Sequence, residues 1–221
     1  MTDFTRLPWV LGAALVCAPA AAMTWIGPPA VRMQQGQWSL GGVCGYSEQD
    51  VEVADEGILE DMEIETRLAR IAVCALTDRV ELFGLLGAVS TNEDFLHGSP
   101  DAAFGGGIRA TVTPGEPVAW GFVAQALYAD LDESDFTDIQ IGLGPCWREG
   151  PFLLYGGAMI HLLSGDWVDQ YLDLDVDFRQ DSAIGAYLGG GLDLWDRLTV
   201  TIEGQLTGGG SCGAVSVEWR F

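Results

Sequence analysis

Side chains in this chain alternate with a period of two, and the alternation is what most constrains the fold. Leu198, Val200, Ile202 and Leu206 are apolar, and Thr199, Thr201, Glu203 and Gln205 stand between them. Near the C-terminus Val215, Val217, Trp219 and Phe221 interleave with Ala214, Ser216, Glu218 and Arg220. Ile139, Ile141 and Leu143 interleave with Asp138, Gln140 and Gly142. Phe104, Ile108 and Val112 do so with Gly105, Gly107, Arg109 and Thr111. A two-residue period sends the two sets to opposite faces of a sheet. Beyond Ala30 no segment keeps a 3.6 period and none carries 18 apolar residues in a row. Thirty glycines also argue against helices, since each costs about 1 kcal/mol in a helix interior. Strand-type stretches are expected over 37–53, 58–76, 80–90, 102–113, 118–131, 134–147, 151–163, 178–194, 198–207 and 211–221.

A soluble sandwich or barrel would bury the apolar face and charge the other. Here the polar face is largely Gly, Ala, Ser, Thr and Gln, although the chain carries a net charge of -22. The stretches run on the order of 10–15 residues, whereas a tilted strand needs about 9–11 to cross a bilayer and soluble strands centre on about 5–6. A chain that is 48% hydrophobic and this acidic fits an apolar belt between charged ends. The expected fold is all-β: a closed antiparallel up-and-down transmembrane β-barrel of about ten strands, with eight or twelve also compatible.

The joints support a polarity. Short turns at 77–79, 114–117, 148–150 and 195–197 alternate with joints at 54–57, 92–101, 132–133, 164–177 and 207–210, of which the longer two are acidic. Arg79, Arg148 and Arg197 sit at the short turns and Arg220 at the same end. Trp120, Trp147, Trp195 and Trp219 lie near strand ends, where interfacial aromatics belong. The short turns and both barrel termini are therefore expected on the periplasmic side.

The first 22 residues read as an export signal: Arg6, an uncharged core over 9–18, then Ala20-Ala21-Ala22 before Met23. A membrane anchor over the uncharged run 9–31 is the alternative, but Pro19, Pro28 and Pro29 interrupt it. Cys17 follows Val16 rather than the small residue of a lipoprotein signal. Residues 23–36 are expected to form a short N-terminal periplasmic segment, and 37–221 the barrel.

The tail Val215-Ser216-Val217-Glu218-Trp219-Arg220-Phe221 alternates and ends on Phe. In this it resembles the small Gram-negative outer-membrane β-barrels, and the likeness of pattern extends over 23–221 without matching one family's motif. The resemblance implies residence in the bacterial outer membrane among lipid and lipopolysaccharide. It also implies that the assembly machinery recognises Val217, Trp219 and Phe221.

Glu65, Arg67, Arg109, Gln125, Asp138, Gln140, Glu203, Gln205, Glu218 and Arg220 are expected to line the lumen, with Glu65 paired to Arg67 or Arg109. A barrel this size is filled by side chains or keeps a narrow passage, so no wide porin-like pore is expected. Cys44 should face lipid, Cys74, Cys146 and Cys212 should face inward, and most or all of the four should stay unpaired, since a disulfide needs Cα atoms within about 7 Å.

Candidates for chemistry are few. His161, expected near the outer rim with Asp166 beyond it, is a candidate general base, set against a satisfied lumen histidine. His97-Gly98-Ser99 resembles the His-x-Ser element of outer-membrane lipid A deacylases, but Gly98 and Pro100 put it in a loop instead of on a lipid-facing strand. Asp173, Asp175 and Asp177 alternate and could offer oxygens to Ca²⁺, although Phe178 and Ile184 break the helix-loop-helix calcium pattern. Glu60 and Glu63 read as loop-end acids. Gly105-Gly106-Gly107 and Gly189-Gly190-Gly191 read as places of tight curvature or no interior room. No phosphate loop, nucleophile elbow, zinc pattern or dinucleotide fingerprint is present, so no cofactor is expected. All ten basic residues are Arg, against 32 acids, which excludes nucleic acid and favours divalent cations as partners. A non-enzymatic structural or surface-exposed barrel with acidic outer loops is the expected function; a narrow channel or solute transporter, and a membrane-embedded hydrolase, are the alternatives.

Overall fold

Alternating residues do form strands. The computed structural model describes residues 24–53, 58–92, 100–130, 134–169, 174–180, 183–195 and 197–221. The strands are β1 (Trp38–Val53), β2 (Ile58–Thr77), β3 (Val80–Asn92), β4 (Asp101–Thr113), β5 (Val118–Asp130), β6 (Ser134–Glu149), β7 (Phe152–Asp169), β8 (Leu174–Gln180), β9 (Ile184–Leu194), β10 (Leu198–Thr207) and β11 (Gly210–Arg220). Each of β1 to β7 pairs antiparallel with the next, then β7 with β9, β9 with β10 and β10 with β11. Pairing of β11 with β1, from Ser39↔Arg220 to Gln49↔Gly210, closes a barrel of ten strands.

The stretch expected as one strand over 178–194 is divided, and much of the joint expected over 164–177 is strand. β8 pairs with the outer end of β7, from Ser164↔Arg179 to Asp169↔Leu174, and with β1 at Val51↔Gln180 and Val53↔Phe178. The β10–β11 hairpin is thus a wedge between β9 and β1 that stops at the turn after Thr207. Beyond it β8 meets β1 directly, and the ring narrows from ten strands to the eight from β1 to β8. Gln180 Nε2 sits at the fork, donating to Gln49 Oε1 at 3.1 Å and Thr207 Oγ1 at 3.0 Å.

The faces are inverted relative to a water-soluble barrel. Thr199, Thr201, Glu203 and Gln205 are buried, whereas Ile202, Leu206 and Leu188 are 64%, 65% and 65% exposed. Apolar surface on this scale costs about 25 cal/mol per Å² in water, so its solvent is lipid. Trp38, Trp120, Phe152 and Trp195 are exposed at the end that carries the short turns. Phe221 stacks on Trp38 at 3.9 Å, and its N–H donates to the Trp38 carbonyl across the closing seam. Phe104 and Tyr128 pair at 5.4 Å toward the other end. These are the two interfacial girdles of a bilayer-spanning barrel.

One expectation about the interior is corrected. The segment expected in the periplasm lies inside the barrel: Thr24 to Ala30 and Met33 are buried. We call residues 24–33 the strap. Its uncharged residues avoid water by entering the lumen. On β2 the buried positions are Ile64, Thr66, Leu68, Arg70 and Ala72, so this strand brings Arg70 into the interior. The side chains of Glu65, Arg67 and Cys74 lie outside the described residues. Cys146 and Cys212 are buried, and Cys44 is half-buried on the parity of Trp38 and Tyr46.

Glycines make room for this filling. A Cβ on Gly121 would stand 2.3 Å from the Pro29 carbonyl oxygen, where the strap touches the wall. One on Gly189 would stand 2.3 Å from the Tyr155 ring, so that Gly run houses an interior aromatic side chain.

Candidate functional site

The lumen is layered along its axis, and the strap organises the lower layers. At the periplasmic mouth Arg32 pairs with Asp193, which Arg148 at 2.7 Å and Arg220 at 3.2 Å also approach. Beside them a cavity of about 900 Å³ is lined by Val31, Arg32, Cys146, Arg148, Glu116 and Glu149. The Val31 N–H donates to Thr111 Oγ1 at 3.0 Å.

Above lies a charged layer. Glu81 pairs with Arg70 and, at 2.7 Å, with Arg109; Arg70 also reaches Glu218 at 2.9 Å. Arg70 lies over the Phe83 ring at 4.3 Å, and both guanidiniums face the Trp25 ring. Arg109 Nη2 donates to the Ile26 carbonyl at 3.2 Å, tying strap to wall. Two guanidiniums and two carboxylates balance here, which is the condition for holding charge in a low-dielectric interior.

Glu203 anchors the strap by a different device. Its Oε1 accepts the Ile26 N–H and its Oε2 the Gly27 N–H, both at 2.9 Å, and Gln205 Nε2 donates to Oε1 at 2.7 Å. Gly27 has φ +76°, a conformation open to glycine, which lets consecutive amides point at one carboxylate. Trp25 Nε1 donates to the Tyr155 hydroxyl at 3.3 Å, and Gln125 Nε2 donates to the Trp25 carbonyl at 3.1 Å.

The strap's visible start is Thr24. Its hydroxyl donates to Asp138 Oδ2, and its carbonyl accepts from Gln205 Nε2 at 3.1 Å. His161 is 1% exposed, with Nε2 at 2.9 Å from Asp138 Oδ1. Asp166 is exposed on the opposite parity of β7. The expected rim pair of His161 and Asp166 is therefore corrected to an interior pair of His161 and Asp138. β7 runs on to Asp169, which leaves His161 well inside the lumen.

Toward the outer end the lumen is apolar. Val51, Ile64, Val89, Leu127, Phe136, Leu163 and Phe178 are all buried there. This layer lies where the ring narrows, and eight-stranded barrels are just wide enough for side chains to fill.

Of the residues expected in the lumen, Arg109, Gln125, Asp138, Gln140, Glu203, Gln205 and Arg220 are buried, and Glu218 is reached from inside by Arg70. Arg70, Glu81, Asp193 and the strap were not anticipated. The uncharged run through Val31, next to Pro28-Pro29, was the available signal, because an apolar periplasmic segment would stand in water. Asp177 is exposed on β8; Asp173, the Asp175 side chain and His97 to Ser99 lie outside the described residues. Among the described residues no group of three or more His, Cys, Asp or Glu is placed to hold a metal ion. Val217 and Trp219 lie on β11 within the closed seam.

With a wholly apolar outer face, a polar layer inside and the sheet closed on itself by β11 and β1 among the described residues, the architecture is decided. The chain is an outer-membrane-type β-barrel. No protein-family model matches it, and no curated protein does. Among solved structures it is similar to the outer-membrane protease OmpT of Escherichia coli, at 12% identity and TM-score 0.40, over 90% of this chain and 99% of that one. It is similar to an outer-membrane channel of Pseudomonas putida F1, at 11% and 0.45, over 90% and 100%. The translocator domain of the autotransporter NalP of Neisseria meningitidis gives 13% and 0.43, over 98% and 94%.

Proposed function

We propose that this barrel is a closed, non-conducting and non-enzymatic protein of the outer membrane, whose acidic outer end meets divalent cations, lipopolysaccharide or a partner at the cell surface. One observation carries the reading: above the cavity at the periplasmic mouth, the described residues fill the lumen, by the strap below and the apolar layer above. A solute would have to displace both. His161 and Asp138 lie under the apolar layer, away from lipid and the outer rim, which supports the non-enzymatic reading. Glu48, Asp130, Asp166 and Asp177 are exposed at the outer ends of their strands and suit cations that bridge them to anionic lipid.

Planar bilayer recording tests the closed lumen. The intact protein is expected to give no stable current steps. A variant lacking 24–33 is expected to stay silent too, because the apolar layer persists. Stable open steps from either protein would overturn the reading.

A further inference from the structure

We propose that the cavity at the periplasmic mouth is a binding site for a small monocarboxylate with an apolar body, held by the guanidiniums of Arg32 and Arg148. The site lies at the opposite end of the barrel from the acidic outer rim and below the filled part of the lumen. A ligand bound there does not pass through.

Three observations converge. The first is charge. In the layer above, Arg70 and Arg109 are matched by Glu81 and Glu218. At the mouth three guanidiniums, those of Arg32, Arg148 and Arg220, share the single carboxylate of Asp193. The Arg32 and Arg220 side chains are only 9% and 10% exposed, so water does little to offset the excess of positive charge. The second is unused donors. Arg32 reaches Asp193 and Thr199 through Nη2, and Arg148 reaches Asp193 through Nη2. A guanidinium has five N–H donors, and among the described residues the other nitrogens of these two have no hydrogen-bond partner. The third is room beside those donors. Arg32 and Arg148 line a cavity of about 900 Å³, whose other walls include Val31, Pro117, Ala119 and Leu153. The β4–β5 turn at Gly115 and the β6–β7 turn at Gly150 frame it, so it opens toward the periplasm.

The chemistry of the ligand follows from the lining. The planar fork of a guanidinium matches the two oxygens of a carboxylate, and Asp193 shows these arginines already in that role. The apolar walls receive an alkyl body, whose removal from water adds affinity. Glu116 and Glu149 line the same cavity but are exposed and make no ion pair among the described residues. Water screens them, so they do not neutralise the buried Arg32. They do repel a second negative charge on a ligand, which selects a monoanion over a phosphate dianion.

The test is a titration of the exported protein in nanodiscs with N-acetyl-L-leucine, followed by ligand-detected saturation-transfer NMR against empty nanodiscs. Saturable binding is expected, with a Kd on the order of 1 mM or tighter. N-acetyl-L-leucine amide, which lacks the charge, and inorganic phosphate are expected to bind more weakly by about tenfold or more. Arg148→Gln is expected to weaken binding of N-acetyl-L-leucine about tenfold. The Arg148 side chain is 45% exposed, so this variant should keep the fold, which a heat-modifiability gel checks. A signal no greater than that of empty nanodiscs, equal binding of the amide or of phosphate, or a folded Arg148→Gln variant that binds like wild type would each overturn the proposal. Absence of binding by a barrel that gives no current would defeat this inference and leave the closed lumen standing.

Discussion

Replacing Glu203 by Ala is expected to destabilise the barrel by about 2–6 kcal/mol and to release the strap. The carboxylate is the acceptor for two consecutive backbone amides, Ile26 and Gly27, in a layer closed to water. Its removal orphans two buried donors, at about 1–3 kcal/mol each. At this turn only the Arg109 bond to the Ile26 carbonyl then remains, while Thr24, Trp25, Val31 and Arg32 keep their own bonds to the wall, so the release is centred on Ile26 and Gly27. Undocking lets water into the lower lumen, which rehydrates those amides and sets the upper limit of the loss. The midpoint of urea unfolding in phospholipid vesicles should fall accordingly, and Trp25 emission should shift to the red. A midpoint within about 0.5 kcal/mol of wild type, the range of neutral surface changes, would mean that the strap is not anchored there.

Glu81→Gln is expected to cost about 3–5 kcal/mol, for a different reason. Glu81 is the carboxylate shared by Arg70 and Arg109. Without its charge Arg70 keeps the Glu218 carboxylate, but Arg109 is left with uncharged partners: the amide oxygen at position 81, the Ile26 carbonyl and the faces of Trp25 and Phe83. The loss comes mostly from a buried unpaired guanidinium, not from forfeited attraction. Removing the charges together separates the two terms: the fourfold change Arg70→Met, Glu81→Leu, Arg109→Met, Glu218→Gln, which takes away the Arg70 partner Glu218 as well, should be far milder than Glu81→Gln alone. Replacement of buried ion-pair clusters by uncharged side chains is often neutral or stabilising. If the fourfold variant is the less stable of the two, the attraction outweighs desolvation in this lumen.

Where one face is uniformly apolar and the other polar, alternation reported the fold directly. β10 is the clearest case, with Ile202 and Leu206 toward lipid and Glu203 and Gln205 inside. β2 and β3 were not legible in this way, because the lumen changes character along its axis. Near the outer end the interior is apolar, so Ile64, Leu68 and Val89 point in; lower down Arg70 and Glu81 do. Along one strand the inward series is therefore partly apolar and partly charged, and composition cannot choose between Arg67 and Arg70. β3 is apolar on both faces, with Leu82 and Leu86 outside and Phe83 and Leu85 inside, which hid Glu81.

The parity of His161 with Tyr155 and Met159 was readable, but its depth was not. Depth depends on where β7 ends, and β7 ends late because β8 extends its pairing to Asp169. The strap was the least visible element. Its contacts join residues as distant as Ile26 and Glu203, and no local period encodes a partner 177 positions away. Cues such as the uncharged run to Val31 and the glycines that clear space at Gly121 and Gly189 acquire meaning only beside the closed wall.

Hydrogen exchange at the amides of Ile26 and Gly27, in the exported protein reconstituted in nanodiscs, tests the central claim most directly. A strap held inside the barrel predicts exchange as slow as that of the β10 core, since opening then requires loss of the Glu203 bonds and flooding of the lumen. Exchange of both amides at the rate of an unprotected peptide would place the segment in the periplasm and leave the lower lumen empty.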